Sequence, residues 1–400
     1  MENLQPKLRF PEFRDNWKLK SLKEIGEIIG GGTPSTAIEE YWNGEINWFT
    51  PSEITSKYIS SSKRKISELG VNKSSAKLLP VGSILLTTRA TIGEVSICLE
   101  ESTTNQGFQS IVVNNFNNNE FVYYLVNTLK NEFIKNSSGS TFLEISKKKI
   151  EVINNYFPTL QEQTKIADFL GAVDKQLDIL NQKKEKLNLY KKGVMQQLFS
   201  QQIRFKDDNG NDFPDWEEKT LGEVGVFYSG TGFNEKEQGG KVGIPFIKVS
   251  DMNLVGNEIL IKSANNYVTN NQIDRNNYKI IKVPTILFAK VGAAIYLERK
   301  RIGENLIIDN NMMGFSPNGN IMYYYYMFQN IRLSKYAQNG ALPSYNSKDI
   351  GKIQVNIPSI EEQTKIANFL SAIDNQIQAV ENQITKTETY KKGLLQQMFV

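Results

Sequence analysis

Glu162-Gln-Thr-Lys-Ile-Ala167 recurs without change as Glu362-Gln-Thr-Lys-Ile-Ala367, two hundred residues further along a chain of 400. Laid without a gap on 361–400, the segment 161–200 shows 19 identities. They include Phe169/Phe369, Leu170/Leu370, Asp174/Asp374, Gln176/Gln376 and the block Tyr190-Lys-Lys-Gly193/Tyr390-Lys-Lys-Gly393. Upstream, the same offset pairs Ile150/Ile350, Ile153/Ile353 and Pro158/Pro358. Further back the likeness thins: Arg9-Phe10 echoes Arg204-Phe205, and Trp17, Leu22 and Glu24 echo Trp216, Leu221 and Glu223. An internal repeat of this size decides the architecture. The chain reads as two copies of one unit, each a divergent part followed by a similar one. A duplication that holds one section alike while the other drifts suggests a shared scaffold carrying two different readers.

The similar section reads as a long helix. Ile166, Leu170, Val173, Leu177, Leu180, Leu187, Val194 and Leu198 follow alternating steps of three and four, with Lys184 and Lys191 filling the gaps. The second copy runs Ile366, Leu370, Ile373, Ile377, Val380, Ile384, Leu394 and Met398, with Thr387 and Lys391 in the seam. An a/d heptad of this kind buries a narrow stripe against another helix. Pro158 and Pro358 end the extended segments before it. Glu162 in one copy, and Glu361 with Glu362 in the other, sit in the first turn, where free N–H groups favour acids. At ~1.5 Å per residue each helix spans roughly 55–60 Å. Two stripes in one chain most simply satisfy each other as an antiparallel pair; pairing with a second chain is the alternative.

The divergent parts read as mixed α and β. Ser83–Arg89 and Gly93–Leu99 form one expected strand pair, Thr285–Lys290 and Ala294–Leu297 the other. Glu120–Val126 and Ile321–Phe328 read as short aromatic helices. The run Tyr323-Tyr-Tyr-Tyr326 could stack bases, but at helical spacing it reads as core. The expected class is α+β: two mixed α/β domains, 1–160 and 204–360, alternating with helices over 161–203 and 361–400.

Composition narrows the chemistry. The chain has no histidine and one cysteine, Cys98, which excludes Ser-His-Asp triads, imidazole acid–base catalysis, disulfides and Cys-based zinc sites. Gly30-Gly-Gly-Thr33 lacks the lysine of a phosphate-binding loop. No [Asp/Asn]-Pro-Pro-[Tyr/Phe] tetrapeptide, as expected of a base-amine methyltransferase, is present. Pro214-Asp-Trp-Glu-Glu-Lys219 compresses nuclease-like carboxylates into one short segment, where they cannot converge on one ion. Net charge is +4, which permits an anionic partner without demanding one. No apolar run reaches the ~18 residues of a membrane span, and no signal peptide is visible. A soluble cytoplasmic protein is expected.

On these residues the chain resembles the specificity subunit of a type I restriction–modification system. The resemblance covers essentially the whole length. Its most specific features are Pro158…Glu162-Gln-x-x-Ile166 and Pro358…Glu362-Gln-x-x-Ile366, each opening a heptad helix. Gly139-Ser-Thr-Phe142…Ile145-Ser146, Gly340-Ala-Leu-Pro343…Tyr345-Asn346, Tyr41-Trp42-x-Gly44…Trp48 and Leu85-Leu-Thr-Thr-Arg-Ala-Thr-Ile-Gly93 also fit. The second domain departs with Lys290 in place of Arg89 and Ile244-Pro-Phe-Ile247 near the Trp48 position. The resemblance implies a subunit that does no chemistry itself and reads a bipartite double-stranded DNA target, one half per domain. It implies two modification subunits that bind S-adenosylmethionine, and restriction or translocase subunits, using ATP and Mg, that can join. No cofactor is implied for this chain. A coiled-coil adaptor without sequence-specific DNA binding is the competing reading; it explains the helices but not two diverged globular copies.

Candidate DNA contacts follow from side-chain chemistry. Arg89, beside Thr88, and Lys290 lie at strand-end turns, from which Arg or Lys can reach guanine O6/N7. Asn105-Gln106 and Asn310-Asn311 carry the amides suited to adenine N6/N7, with loop capping the competing role. Ser140-Thr141 and Ser344-Tyr345 are expected to touch phosphate or the loop backbone.

Overall fold

The computed structural model describes residues 5–139, 143–338 and 342–400. The chain groups into two units, Met1–Asn181 with Asn382–Val400, and Gln182–Glu381. In the first, the strands are β1 (Lys18–Ser21), β2 (Gly26–Gly30), β3 (Trp42–Phe49), β4 (Tyr58–Ile59), β5 (Arg64–Ile66), β6 (Ile84–Leu86), β7 (Val95–Cys98), β8 (Ser102–Thr104), β9 (Gln109–Val113) and β10 (Asn154–Phe157). They build a five-stranded sheet, β2-β9-β6-β7-β4, and a three-stranded one, β5-β3-β8. β6 and β7 are buried along their whole length, including Ser96, whose hydroxyl donates to Ser56 O at 2.5 Å. Helix α1 (Asn119–Thr128) is capped by Asn118, whose side chain accepts from Phe121 N, and buries Phe121 through Val126. β1 and β10 pair antiparallel with Lys18 opposite Phe157, returning the chain to the start of helix α2 (Leu160–Phe199).

The second unit repeats this plan. Its strands are β11 (Glu217–Thr220), β12 (Gly225–Ser229), β13 (Ile244–Ile247), β14 (Tyr267–Val268), β15 (Thr285–Ala289), β16 (Lys300–Gly303), β17 (Ile307–Ile308), β18 (Met312–Pro317) and β19 (Gln354–Ile357). They form sheets β12-β18-β15-β16 and β14-β13-β17 and the pair β11-β19. The order is that of the first unit, except that edge strand β4 has no counterpart. Helix α3 (Ile321–Asn330) buries all four tyrosines of the run 323–326, so they are core as their spacing predicts. Helix α4 (Ile360–Met398) closes the chain. One expected strand is corrected: Ala293–Leu297 is a 3-10 turn, and the partner of β15 is β16. Gly292 enters that turn at φ +79° and Glu298 leaves it at φ 50°, two left-handed residues that no strand accommodates.

Within each unit the start of one long helix packs antiparallel on the end of the other. Ile166, Leu170 and Val173 share a core with Leu394 and Met398 in the first unit; Ile366, Leu370, Ile373 and Ile377 share one with Val194 and Leu198 in the second. The seam lysines are paired, not merely tolerated. Lys391 meets Asp174 at 2.5 Å, and Lys191 meets Asp374 at 2.5 Å. Each aspartate also accepts from a core tyrosine hydroxyl, Tyr124 at 2.6 Å and Tyr326 at 2.7 Å. Burial holds both phenols protonated by raising their pKa.

The recurring Glu-Gln pair anchors each globular part to its helix. Glu162 is buried and accepts from Arg9 Nε at 2.7 Å, Arg9 Nη2 at 2.8 Å and Trp17 Nε1 at 3.2 Å. Glu362 repeats the arrangement with Arg204 Nε at 3.2 Å, Arg204 Nη2 at 2.8 Å and Trp216 Nε1 at 3.0 Å. These bidentate ion pairs push both guanidinium pKa values up. Gln163 and Gln363 each donate to the preceding proline carbonyl at 3.0 Å. Their Oε1 atoms accept from Asn118 N and Asn320 N, at the entrances of α1 and α3.

Candidate nucleic-acid interface

In the first unit an exposed turn is assembled from three segments. After β8, Asn105 Oδ1 accepts from Gly107 N at 2.8 Å, an Asx turn that leaves Gln106 at an exposed tip. Gly31 lies so close beneath it that a Cβ there would sit 2.0 Å from Asn105 O. Gln106 Oε1 accepts a hydrogen bond from Thr33 Oγ1. After β6, Thr88 N donates to Gly107 O at 2.7 Å, so the strand-end turn carrying Arg89 lies beside the Asx turn. Ala90 at φ 60° and Gly93 at φ +87° form that turn. Arg89 is 45% exposed and pairs with Glu144 at 2.8 Å.

The second unit has the same construction with different side chains. Asp309 Oδ1 accepts from Asn311 N at 2.9 Å, Asn310 and Asn311 are exposed, and Gly230 replaces Gly31, its added Cβ falling 1.7 Å from Asp309 O. Burial raises the Asp309 pKa. Lys290 N donates to Asn311 O at 2.9 Å, and Tyr345 N to Lys290 O at 3.2 Å. In the first unit the matching bonds run from Thr88 N to Gly107 O and from Ile145 N to Thr88 O. Lys290 therefore stands where Thr88 does, not where Arg89 does. The counterpart of Arg89 is Val291, bridged to Ser344 as Arg89 is to Glu144. By the same register, Asn105 corresponds to Asp309 and Gln106 to Asn310.

The expected contact residues separate accordingly. Arg89, Gln106, Asn310 and Asn311 are exposed, while Asn105, Lys290 and Ser344 are partly buried beside them. Asn105 is occupied in capping its loop. Two expected contacts are corrected to interior positions. Thr88 is fully buried, with a hydroxyl that has no partner, because it lies under the backbone of Gly107 and Ile145. Tyr345 is 5% exposed, and its hydroxyl donates to Ala289 O, because it packs on Phe288. Ser140 and Thr141 lie outside the described residues.

The arrangement presents amides and cations on backbone-rigid turns, the chemistry that reads base edges and phosphates. Among the described residues no group of three or more Asp, Glu, His or Cys is placed to hold a metal. Trp216, inside the nuclease-like segment, is committed to Glu362. One exposed cation absent from the sequence reading adjoins the first site. Arg64 lies over Trp42, 3.6 Å from Cζ to ring centroid. Its partners are distant in sequence, so no local pattern announces it.

Comparison with known proteins gives one consistent result. A family profile described as the type I restriction modification DNA specificity domain matches residues 14–189 and 214–388. The chain is 33% identical over 307 residues to the type I restriction enzyme MjaIX specificity subunit of Methanocaldococcus jannaschii, covering 72% of this chain and 69% of that one. It is 25% identical over 424 residues to the MjaVIII specificity subunit of the same organism, covering 97% and 92%. In fold it is similar to the type I system S subunit from M. genitalium, with TM-score 0.56, 17% identity and 99% of both chains covered. It is likewise similar to a chain from a structure of type I R-M complex assembly, with TM-score 0.62, 17% identity and 97% of both covered.

Proposed function

We infer what this chain does from its kinship: it belongs to the type I restriction–modification DNA specificity family. It is the sequence-specific DNA-binding subunit of such a system, acting in a complex with modification subunits. The finer reading is that each unit reads one half of a bipartite target through the turns at 88–91 and 105–107 or 290–293 and 309–311. Arg89, Gln106, Asn310, Asn311 and Lys290 are the side chains we assign to DNA. The observation that carries this reading is the twofold recurrence of one turn scaffold with exchanged side chains. Replacing residues 1–160 with those of a relative should change one half-site and leave the other intact, read by mapping methylated sites of the assembled complex. A change in both half-sites would exclude independent readers.

We propose two modification subunits per chain, a reading supported by the helices. Lys186, Tyr190, Gly193 and Gln197 lie at steps of four, three and four, one face of α2, and recur as Lys386, Tyr390, Gly393 and Gln397 on α4. Tyr190 and Tyr390 are 53% and 54% exposed. A Cβ on Gly193 would meet nothing within 4 Å, yet glycine inside a helix costs about 1 kcal/mol relative to alanine. A residue kept twice at a cost, without a partner in its own chain, fits a surface approached twice by the same protein. Leucine at Gly193 should leave a folded chain that binds one modification subunit, and leucine at both glycines a chain that binds none, measured by native mass spectrometry. Two subunits retained on the double variant would place docking elsewhere. In this reading methylation, with its S-adenosylmethionine, belongs to those subunits, cleavage with ATP and Mg to restriction subunits that join, and this chain catalyses nothing.

A further inference from the structure

We propose that Arg64 is a specificity residue of the first unit, reading a guanine in its half-site. Its guanidinium lies over the Trp42 ring and 5.5 Å from that of Trp48. The two indoles meet edge to face at 5.1 Å, and each is fixed by its own hydrogen bond, Trp48 Nε1 to Gly32 O at 2.8 Å and Trp42 Nε1 to Ser35 O at 3.1 Å. Both rings are nearly buried while Arg64 is exposed. Among the described residues its side chain has no ion pair or hydrogen bond. Stacking on an indole covers a face of the guanidinium and leaves its in-plane N–H edges free. Those edges match guanine O6 and N7. Because the rings hold the group in place, little conformational freedom is lost on binding.

Position points the same way. Trp48 is bonded to Gly32, the next residue Thr33 is bonded to Gln106, and Gln106 tips the turn assigned to DNA. The second unit supplies the contrast. Phe246 occupies the Trp48 position, stacked on Phe233 at 3.8 Å, and its N–H donates to Asn266 O. Asn266 is 7% exposed, and its side chain accepts from Gly239 N. Phosphates are alike in both halves of a target, so a backbone contact would serve both copies equally. A preorganised arginine present in one copy alone fits the part of the DNA that differs, its bases.

The inference rests on the DNA-reading function, and its test keeps the two separable. With modification subunits bound, the wild-type complex is titrated with its mapped target, with every single-base variant of the first half-site, and with unrelated DNA, across a salt series. Arg64→Lys keeps the charge but loses the planar fork. It should lower affinity for the target roughly 5- to 150-fold, erase discrimination at one G·C pair of the first half-site, and leave unrelated-DNA affinity and the salt slope unchanged. Trp42→Leu should weaken discrimination at the same pair. Wild-type behaviour of Arg64→Lys, or equal loss on every sequence with a changed salt slope, would overturn the assignment while leaving the reading function intact. A wild-type complex without sequence preference would overturn both.

Discussion

Glu162→Ala destabilises the first unit by about 3–5 kcal/mol, the usual cost of removing one partner from a buried ion pair. The carboxylate is 1% exposed and Arg9 12% exposed, and Trp17 is 5% exposed. Deleting the acid therefore leaves the guanidinium only its bonds to Gln5 Oε1 and Asp15 O, and leaves the indole N–H unpaired in a site that water barely reaches. Glu162→Gln keeps an acceptor and should cost less, about 1–3 kcal/mol, the loss of charge-assisted bonding. Urea denaturation followed through tryptophan fluorescence measures both. Replacing Arg9, Trp17 and Glu162 together with apolar residues of similar volume should recover most of the loss, since a buried pair is worth little against good packing. If Glu162→Ala unfolds at the wild-type midpoint, the anchor is ornamental and the recurring glutamate needs another reason.

That glutamate shows how far the sequence could be read. The repeat, the heptad seam and the aromatic helices were legible because each is local: a period of 3.5 or 3.6, or an identity at constant offset. The meaning of the identical polar residues was not local. Glu162 finds Arg9 across 153 positions, and Asp174 finds Tyr124 on another helix, so only the folded chain explains why they persist. The register of the contact turns was hidden for a different reason. At constant offset Ser344 matches Glu144, but Lys290 matches Thr88 two residues off that offset, so the insertion lies between. Aligning by residue type set Lys290 against Arg89, whereas backbone bonding sets Val291 there. Neighbouring residues of extended backbone face opposite ways, so Thr88 is interior while Arg89 beside it is exposed. Arg64 escaped because its Trp platform sits on a neighbouring strand.

A heptad inserted into both long helices, after Leu180 and after Val380, should abolish specific binding to the original target. The units divide at Asn181 and Glu381, so each insertion falls one residue from a boundary and disturbs neither globular part. Seven residues add about 10 Å of helix and change its phase by only ~20°, so the a/d seam stays in register. The covalent connection between the readers lengthens while the turns that hold Arg89, Gln106, Asn310 and Asn311 are untouched. On DNA of the original spacing one half-site is then out of reach. Affinity should fall toward the non-specific level, about 10³-fold or more below the specific one. By distance alone the added length equals about three base pairs at ~3.4 Å each. Those pairs also rotate the groove by roughly 100°, given 10–10.5 base pairs per turn, so recovery on longer targets should be partial. Selection from a library of spacer lengths should nevertheless peak beyond the wild-type spacing. An inserted chain that folds, assembles and still prefers the original spacer would show that the helices do not measure the target, and that modification subunits or DNA bending set the distance instead.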